Sequence, residues 1–156
     1  MGKGSAENKD PEAVALKLYE TLKESAGLDM PEEIPPLDEI PEVDQKLCNY
    51  QLNDKGNAQR LIKRYGRDLL YVPEAGWYGW TKKIWSLDEG EHMAQKSAHK
   101  TSDKLRAEAL AKLAIGNFPM ETPTEFRDRV KKFYGFATQS GTSQRLTAMV
   151  NEAEPY

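Results

Sequence analysis

Cysteine and histidine are scarce in this 156-residue sequence, which holds one cysteine, Cys48, and two histidines, His92 and His99. A single thiol cannot close an internal disulfide, and it cannot supply the thiolates of a structural zinc site. The spacing of His92, His99 and Asp103 allows them to share one face of a helix, but tetrahedral metal sites built from such a set are uncommon. We therefore expect no metal and no cofactor.

Long apolar runs are also missing, since no stretch approaches the roughly 18 residues of a membrane span. The amino terminus lacks the apolar segment of a secretory signal, so we expect a cytoplasmic protein without a membrane partner. The sequence contains no Gly-x-x-x-x-Gly-Lys-Ser/Thr loop for nucleotide phosphates and no evident nucleophile–histidine pair. These absences predict a protein that is not an enzyme and has no small-molecule substrate.

Charge is present but unevenly distributed along the chain. Residues 1–45 hold four lysines and twelve acids, a balance of −8, whereas the other 111 residues hold 18 basic and 13 acidic residues, a balance of +5. Two interpretations stay open: a basic working domain with an acidic arm, or an ordinary solvated surface.

The pattern of prolines and charges predicts three segments. Residues 1–27 form an arm whose short helix begins at Asp10-Pro11, ends at Gly27 and either docks on the domain or binds a partner. Residues 28–45 hold four prolines and seven acids without Lys or Arg, which favours an extended linker. Alternatively, Ile34, Leu37, Ile40 and Val43 lie along a groove. Residues 46–156 form the globular domain.

Within this domain the hydrophobic periodicity predicts an α+β fold that is mostly helical, with a small antiparallel sheet packed against four to five helices. The expected elements are a helix from Asn53 or Asp54 to Tyr65, a strand Leu69–Val72, a hairpin within residues 76–87, a helix from Asp88 to about Ile115, and two helices beginning near Thr122 and Ser143. The last two are expected to pack as an antiparallel hairpin because only a short turn joins them.

The hairpin carries all three tryptophans of the chain. A two-residue loop, Thr81-Lys82 or Lys82-Lys83, places Tyr78, Trp80, Trp85 and Leu87 on one face, and Trp77 and Ile84 on the other. Aromatic rings on a sheet can stack on exposed bases. Core packing is the commoner use, so we expect most of these rings to be buried, with one exposed.

Two rows of cationic side chains follow helical spacing and are candidate nucleic-acid-binding residues. The first row is expected opposite the apolar face of its helix, and the alternative for both rows is a solvated surface. The first row consists of Arg60, Lys63, Arg64 and Arg67. The second consists of Lys96, Lys100 and Lys104, which continue a four-residue spacing that starts at His92.

Several segments together resemble one family. They are Leu-Asn-Asp-Lys-Gly-Asn-Ala-Gln-Arg-Leu at residues 52–61, Leu-Tyr-Val at 70–72, Trp77-x-x-Trp80 with Trp85, Glu108-Ala109, and Phe136 to Tyr156. Over residues 50–156 the chain is similar to the phage and plasmid primase–helicase family, in the poxvirus-type region that precedes the superfamily 3 helicase. It departs from the family in having Thr81-Lys82 where Asp-Gly is frequent, and it contains neither the ATPase nor the primase catalytic motifs.

The resemblance implies a non-catalytic accessory module of phage- or prophage-type DNA replication. In this interpretation the cationic rows contact DNA phosphates weakly and without sequence preference. The alternative is a protein–protein adaptor that links a replicative helicase or primase to its partners, without DNA contact of its own. Helices within 124–153, or the amino-terminal helix, would then form the interface, and an exposed apolar patch around Phe133, Leu146 and Val150 would favour this role.

Overall fold

A computed structural model describes residues 16, 17, 19, 20, 24, 33–116 and 120–156. This part of the chain is mostly helical and has one small antiparallel sheet, so the predicted α+β class is confirmed. The elements are α1 (Glu42–Leu47), α2 (Asp54–Tyr65), β1 (Leu69–Val72), β2 (Gly76–Trp80), β3 (Trp85–Ser86), α3 (Leu87–Ile115), α4 (Pro123–Ser140) and α5 (Ser143–Ala153), with 3-10 turns at Leu37–Glu39 and Gly66–Asp68.

Local capping signals place the helix starts. The Asn53 side chain accepts a hydrogen bond from the Gly56 amide at 2.7 Å, which begins α2 as predicted. Thr122 and Glu125 form the predicted capping box of α4, with Pro123 at its first position. The cap of α3 is Ser86 rather than Asp88, so this helix begins earlier than expected.

The sheet has the order β1-β2-β3, and both strand pairs are antiparallel. Trp80 pairs with Trp85, and the Thr81 amide donates to the Ile84 carbonyl at 3.0 Å, which leaves Lys82-Lys83 as the two-residue loop. Lys82 has a φ of 71°, the left-handed conformation that such tight loops require. One of the two predicted registers is therefore confirmed, although β3 is only two residues long.

Helix α3 is the element on which the others pack. Near its amino end it lies so close to β2 that a Cβ added at Gly90 would be 1.8 Å from the Trp77 carbonyl oxygen. Ala94 and Ala98 of this half share a core with Leu61 of α2 and Met149 of α5. The carboxyl half contributes to a second core, formed mainly with α4 and including Leu105, Leu113, Phe126, Val130 and Phe133.

Helix α5 packs chiefly on α2, and the close pairing of α4 with α5 that we expected is wrong. The apolar stripe of α5, which includes Leu146 and Met149, joins the core that contains Leu61. At the same interface Arg145 donates to both carboxylate oxygens of Asp54 at 3.0 Å. The short turn at Gly141 therefore directs α5 across to α2 instead of back along α4.

The predicted extended conformation of residues 28–45 is wrong for the described part of this segment. It forms the 3-10 turn Leu37–Glu39 and most of α1, and Ile40 and Asp44 are buried. The side-chain amide nitrogen of Gln45 donates to the backbone carbonyls of Leu37 and Ile40 at 2.9 and 2.8 Å, which connects the turn to the helix. Proline and charge content did not predict this fold because burial of Ile40 and Asp44 depends on residues far along the chain.

The amino-terminal arm contributes to the core where it is described. Residues 16, 17, 19, 20 and 24 are helical, and Tyr19 is only 1% exposed, within the cluster that contains Phe126 and Tyr134. Its predicted stripe of Val14, Leu18 and Leu22, and its predicted ends at Asp10-Pro11 and Gly27, lie outside the described residues. Of the two alternatives for this helix, docking on the domain is the one observed.

No helix among the described residues is both long enough and apolar enough to cross a bilayer.

Candidate nucleic-acid interface

Arg60 does not face solvent. Its side chain has 0% exposure, and its Nε donates to Glu108 Oε2 at 2.6 Å. The remaining guanidinium nitrogens donate to the carbonyls of Gln51, Leu47 and Tyr50 at 2.7 to 3.1 Å. A guanidinium satisfied on all sides inside the protein cannot reach a phosphate, so the predicted solvent-facing position of Arg60 is wrong.

Arg64 is placed in the same way, four residues further along α2. Its Nη2 donates to Asp44 Oδ1 at 2.5 Å and to Glu108 Oε1 at 2.8 Å, and its side chain is 7% exposed. Burial opposes its charge, but the hydrogen bonds to Glu108 and Asp44 outweigh that effect, and the pKa of Arg64 lies above its ordinary value. Arg60, Arg64, Asp44 and Glu108 thus form a buried ion cluster with two charges of each sign.

The sequence contained one sign of this cluster. Glu108 falls three residues after Leu105 and directly before Ala109, within the apolar stripe of α3, and all three are buried. An acid in an apolar stripe requires a buried cationic partner, because an isolated charge is too costly to bury. Helical spacing alone put Arg60 and Arg64 on a face opposite the apolar one, since it does not show that a second segment covers that face.

The other five predicted cations are exposed. Lys96, Lys100 and Lys104 form a row on α3, and Lys100 Nζ lies over the Tyr65 ring at 5.8 Å from its centroid. Lys63 is two positions before Tyr65 on α2, so it points to roughly the opposite side of that helix. Arg67 lies in the 3-10 turn that follows α2. The structure therefore does not assemble the two predicted rows into one surface.

The α3 row, defined as Lys96, Lys100 and Lys104, is the most coherent of the exposed cations. Asp103 is exposed on the same side of the helix, which lowers the local positive charge. Within residues 33–116 and 120–156, none of the three lysines forms an ion pair with a carboxylate. Their ammonium groups are thus available to an anion in solvent.

The histidines lie beside this row without forming a metal site. His92 and His99 line a shallow groove with Gln95 and Lys96, whereas Asp103 lines a different groove with Ser102 and Arg106. In the described parts of the chain, no three His, Cys, Asp or Glu side chains lie close enough together to hold a metal ion.

The aromatic rings of the sheet are distributed differently from what we expected. Only Trp77 is fully buried, and it packs edge-on against Tyr71 at 5.3 Å between ring centroids. Trp85 is 42% exposed, and Tyr78 and Trp80 are partly exposed. The expectation that most of these rings lie in the core is therefore wrong, because no other described element covers the face of the sheet that points away from α3.

Cys48 and the residues expected at an adaptor interface belong to the interior. Phe133, Leu146 and Val150 are 2 to 4% exposed and pack in the two cores. The Cys48 thiol donates to the Gln45 carbonyl at 3.0 Å, and burial raises its pKa, which disfavours the nucleophilic thiolate.

Comparison with known proteins identifies the family of this chain. The chain matches the family described as D5 N terminal like over residues 58–155, and it belongs to that family. This is the N-terminal, non-catalytic region of phage and plasmid primase–helicase proteins, as the resemblance implied. No curated protein and no solved structure matched the chain.

Proposed function

We propose that this chain is a non-catalytic module of phage-type DNA replication that contacts DNA phosphates weakly and without sequence preference. The observation that carries the proposal is the α3 row, three exposed lysines at four-residue spacing on one helix. Lys63 and Arg67 are secondary contacts on neighbouring surfaces. Family membership supports a replication context, in which DNA is the abundant polyanion.

The spacing of the α3 row suits a phosphate backbone. Residues four apart on an α-helix are about 6 Å apart along the axis, so Lys96, Lys100 and Lys104 extend over about 12 Å. Each lysine that neutralises a phosphate releases condensed counterions, and affinity then falls as salt rises. Three contacts with one opposing carboxylate predict weak binding in which the salt dependence, rather than the affinity at one salt concentration, is diagnostic.

The test is fluorescence anisotropy with labelled single- and double-stranded oligonucleotides, repeated from low to physiological salt. Replacing Lys96, Lys100 and Lys104 with alanine is expected to reduce the slope of log affinity against log salt by about 2 to 3 units. The matched control replaces Lys55, Lys131 and Lys132, which are also exposed and give the same change in net charge.

Three outcomes are decisive. A reduced slope in the α3 variant alone supports the proposed site. An equal reduction in both variants attributes binding to the overall charge of the protein and overturns the assignment to α3. Absence of DNA binding at low salt overturns the proposed function itself.

The alternative of an adaptor without DNA contact loses its expected surface. An exposed apolar patch around Phe133, Leu146 and Val150 would have favoured it, and these side chains are buried. DNA contact is therefore the better supported of the two roles.

A further inference from the structure

The outer face of the small sheet consists of Leu70, Val72, Tyr78, Trp80, Trp85 and Leu87. Residues that pair across antiparallel strands share a face, and Leu70 pairs with Tyr78 while Trp80 pairs with Trp85. Alternation along β2 puts Tyr78 and Trp80 on the same side as Gly76. Leu87 joins them, since its Cδ1 lies 3.9 Å from the position that a Cβ on Gly76 would occupy.

This outer face is exposed although it is apolar. Leu70, Trp85 and Leu87 are 42 to 46% exposed. Ile84, next to Trp85 in the chain but directed to the other side of the hairpin, is 65% exposed. The opposite face of the sheet, with Leu69 and Trp77, is the one that is buried against the core and α3. A contiguous exposed apolar surface on a folded domain marks a site of interaction.

Charge at the edges of the outer face indicates the kind of partner. Lys82 and Lys83 form the loop beside Trp80 and Trp85, and the 3-10 turn with Arg67 lies at the same end because β1 begins where β2 finishes. All three cations are exposed, with Asp68 as the neighbouring acid. The acids Glu74, Asp88 and Glu89 lie towards the other end. Trp85, the most exposed of the tryptophans, therefore lies at the end of the outer face that carries the cations.

The rings themselves are arranged as a small platform. The centroids of Trp80 and Trp85 are 5.5 Å apart and their planes are inclined by 53°, so the pair does not stack face to face and a ring face is left open. Indole faces beside lysines are the combination by which proteins hold single-stranded nucleic acid, with bases on the rings and phosphates on the cations. A duplex keeps its bases stacked and offers only its backbone.

We propose that the outer face of the sheet stacks the unpaired bases of single-stranded DNA on Trp85 and Trp80, while Lys82, Lys83 and Arg67 hold the adjoining phosphates. This inference rests on the proposed DNA-binding function and adds to it a preference for single strands. It assigns the tryptophans a contact that phosphate neutralisation by the α3 row does not require.

The test compares two labelled oligonucleotides of equal length and charge, oligo-deoxythymidine and an abasic strand that keeps the phosphates but lacks bases. The full-length chain is expected to bind the thymidine strand about 5- to 150-fold more tightly, the range that stacking of one base gives. Its tryptophan fluorescence should be quenched by the thymidine strand and not by the abasic strand, a readout that needs no variant.

Variants at position 85 separate stacking from apolar contact. Trp85→Leu keeps an apolar side chain but removes the ring. It should reduce the preference for the thymidine strand to what Trp80 alone provides, without changing affinity for the abasic strand. Trp85→Phe should restore most of the preference. Ile84→Ala is the matched control, because it removes neighbouring exposed apolar surface and should leave both affinities unchanged.

The outcomes distinguish this inference from the function on which it rests. Equal binding of both strands, or duplex binding as tight as that of the thymidine strand, overturns base stacking and leaves phosphate binding in place. A loss in Ile84→Ala equal to that in Trp85→Leu also overturns it, since the effect would then not be specific to the outer face or to its rings. Failure of every oligonucleotide to bind at low salt overturns both proposals.

Discussion

Arg60 and Arg64 illustrate what a buried charge requires at the scale of single residues. Removing an arginine and a glutamate from water costs several kcal/mol per ion, and their attraction offsets this only when the hydrogen-bonding geometry is good. Here Glu108 uses one oxygen for each arginine, and backbone carbonyls take up the remaining donors of Arg60. The buried ion cluster therefore joins α1, α2 and α3, and each of its members depends on the others.

Replacing Glu108 with glutamine is expected to destabilise the protein strongly. The substitution keeps the shape of the side chain but leaves two buried arginines with Asp44 as the one remaining carboxylate of the cluster. Breaking a buried ion pair from one side typically costs about 3 to 5 kcal/mol. The free energy of unfolding from urea denaturation, followed by circular dichroism, measures this loss.

Two variants serve as controls for that experiment. Glu42→Gln removes a carboxylate whose ion pair with Lys46 is fully exposed, and it should leave the unfolding midpoint unchanged. The double variant Arg60→Met with Glu108→Leu removes one charge of each sign and leaves Arg64 paired with Asp44. It should be more stable than Glu108→Gln. If Glu108→Gln unfolds at the wild-type midpoint, the ion cluster contributes nothing to stability.

The sequence shows which residues are charged, and its periodicity predicts which of them lie on helices. It does not show which charged residues are buried. The i, i+4 spacing of Arg60 and Arg64 fixes their common direction on α2. What lies in that direction depends on α1 and on Glu108, which is 48 positions further along the chain. The same limit applies to Trp85 and Trp77. Their alternation was readable from the sequence, whereas the location of α3 on one side of the sheet was not.

At the scale of elements, the close contact between α3 and the sheet requires a glycine, Gly90, at the point of contact. Gly90 is buried in the first turns of α3, where the helix backbone contacts the Trp77 carbonyl region of β2 directly. Gly135 has the opposite setting within α4, because a Cβ added there would meet nothing within 4 Å. Both glycines are helical, so substitution at these two positions separates intrinsic helix preference from packing.

Gly90→Ala is expected to be severely destabilising, and Gly135→Ala mildly stabilising. At Gly90 the new methyl group would meet backbone atoms that cannot move without shifting β2 from α3. At Gly135, alanine gains up to about 1 kcal/mol over glycine from helix propensity. Thermal unfolding of both variants tests this contrast. A similar shift in both would show that α3 and β2 are not in the close contact described.

Helix starts that depend on neighbouring residues could be predicted from the sequence. The elements on which those helices pack could not. The Asn53 cap and the Thr122–Glu125 capping box involve residues within three positions of each other, so the helix starts followed from the sequence. The contact of α5 with α2 includes an ion pair of Arg145 with Asp54, which is 91 positions away. A short turn restricts where the next helix begins, but burial of Leu146 and Met149 against α2 decides its direction.

At the scale of the whole molecule, the acidic first third of the chain is partly integrated into the fold. Asp44 completes the buried ion cluster, Ile40 joins the core and Tyr19 packs in the cluster that contains Phe126. The balance of −8 in residues 1–45 includes Asp44, a carboxylate that is paired with Arg64 inside the protein. We consequently expect these segments to unfold together with the domain.

Tyr19→Ala tests this integration. Truncating a buried aromatic side chain typically costs about 3 to 5 kcal/mol, and the loss should appear in a single unfolding transition rather than as a separate early phase. Leu16→Ala is the matched control, because Leu16 belongs to the same helical stretch and is 51% exposed. Equal stability of Tyr19→Ala and wild type would show that the arm is independent of the domain.

Tyr134 provides a second readout of the same contact. Burial raises the pKa of its phenol, and the nearby Tyr19 raises it further. Losing Tyr19 admits water to Tyr134, so its pKa should fall towards the ordinary value and its ionisation should occur at lower pH. Spectrophotometric titration of tyrosinate absorbance in Tyr19→Ala and Leu16→Ala measures this shift. A fall confined to Tyr19→Ala would establish that the amino-terminal helix seals the α3–α4 core, whereas identical titrations would place it elsewhere.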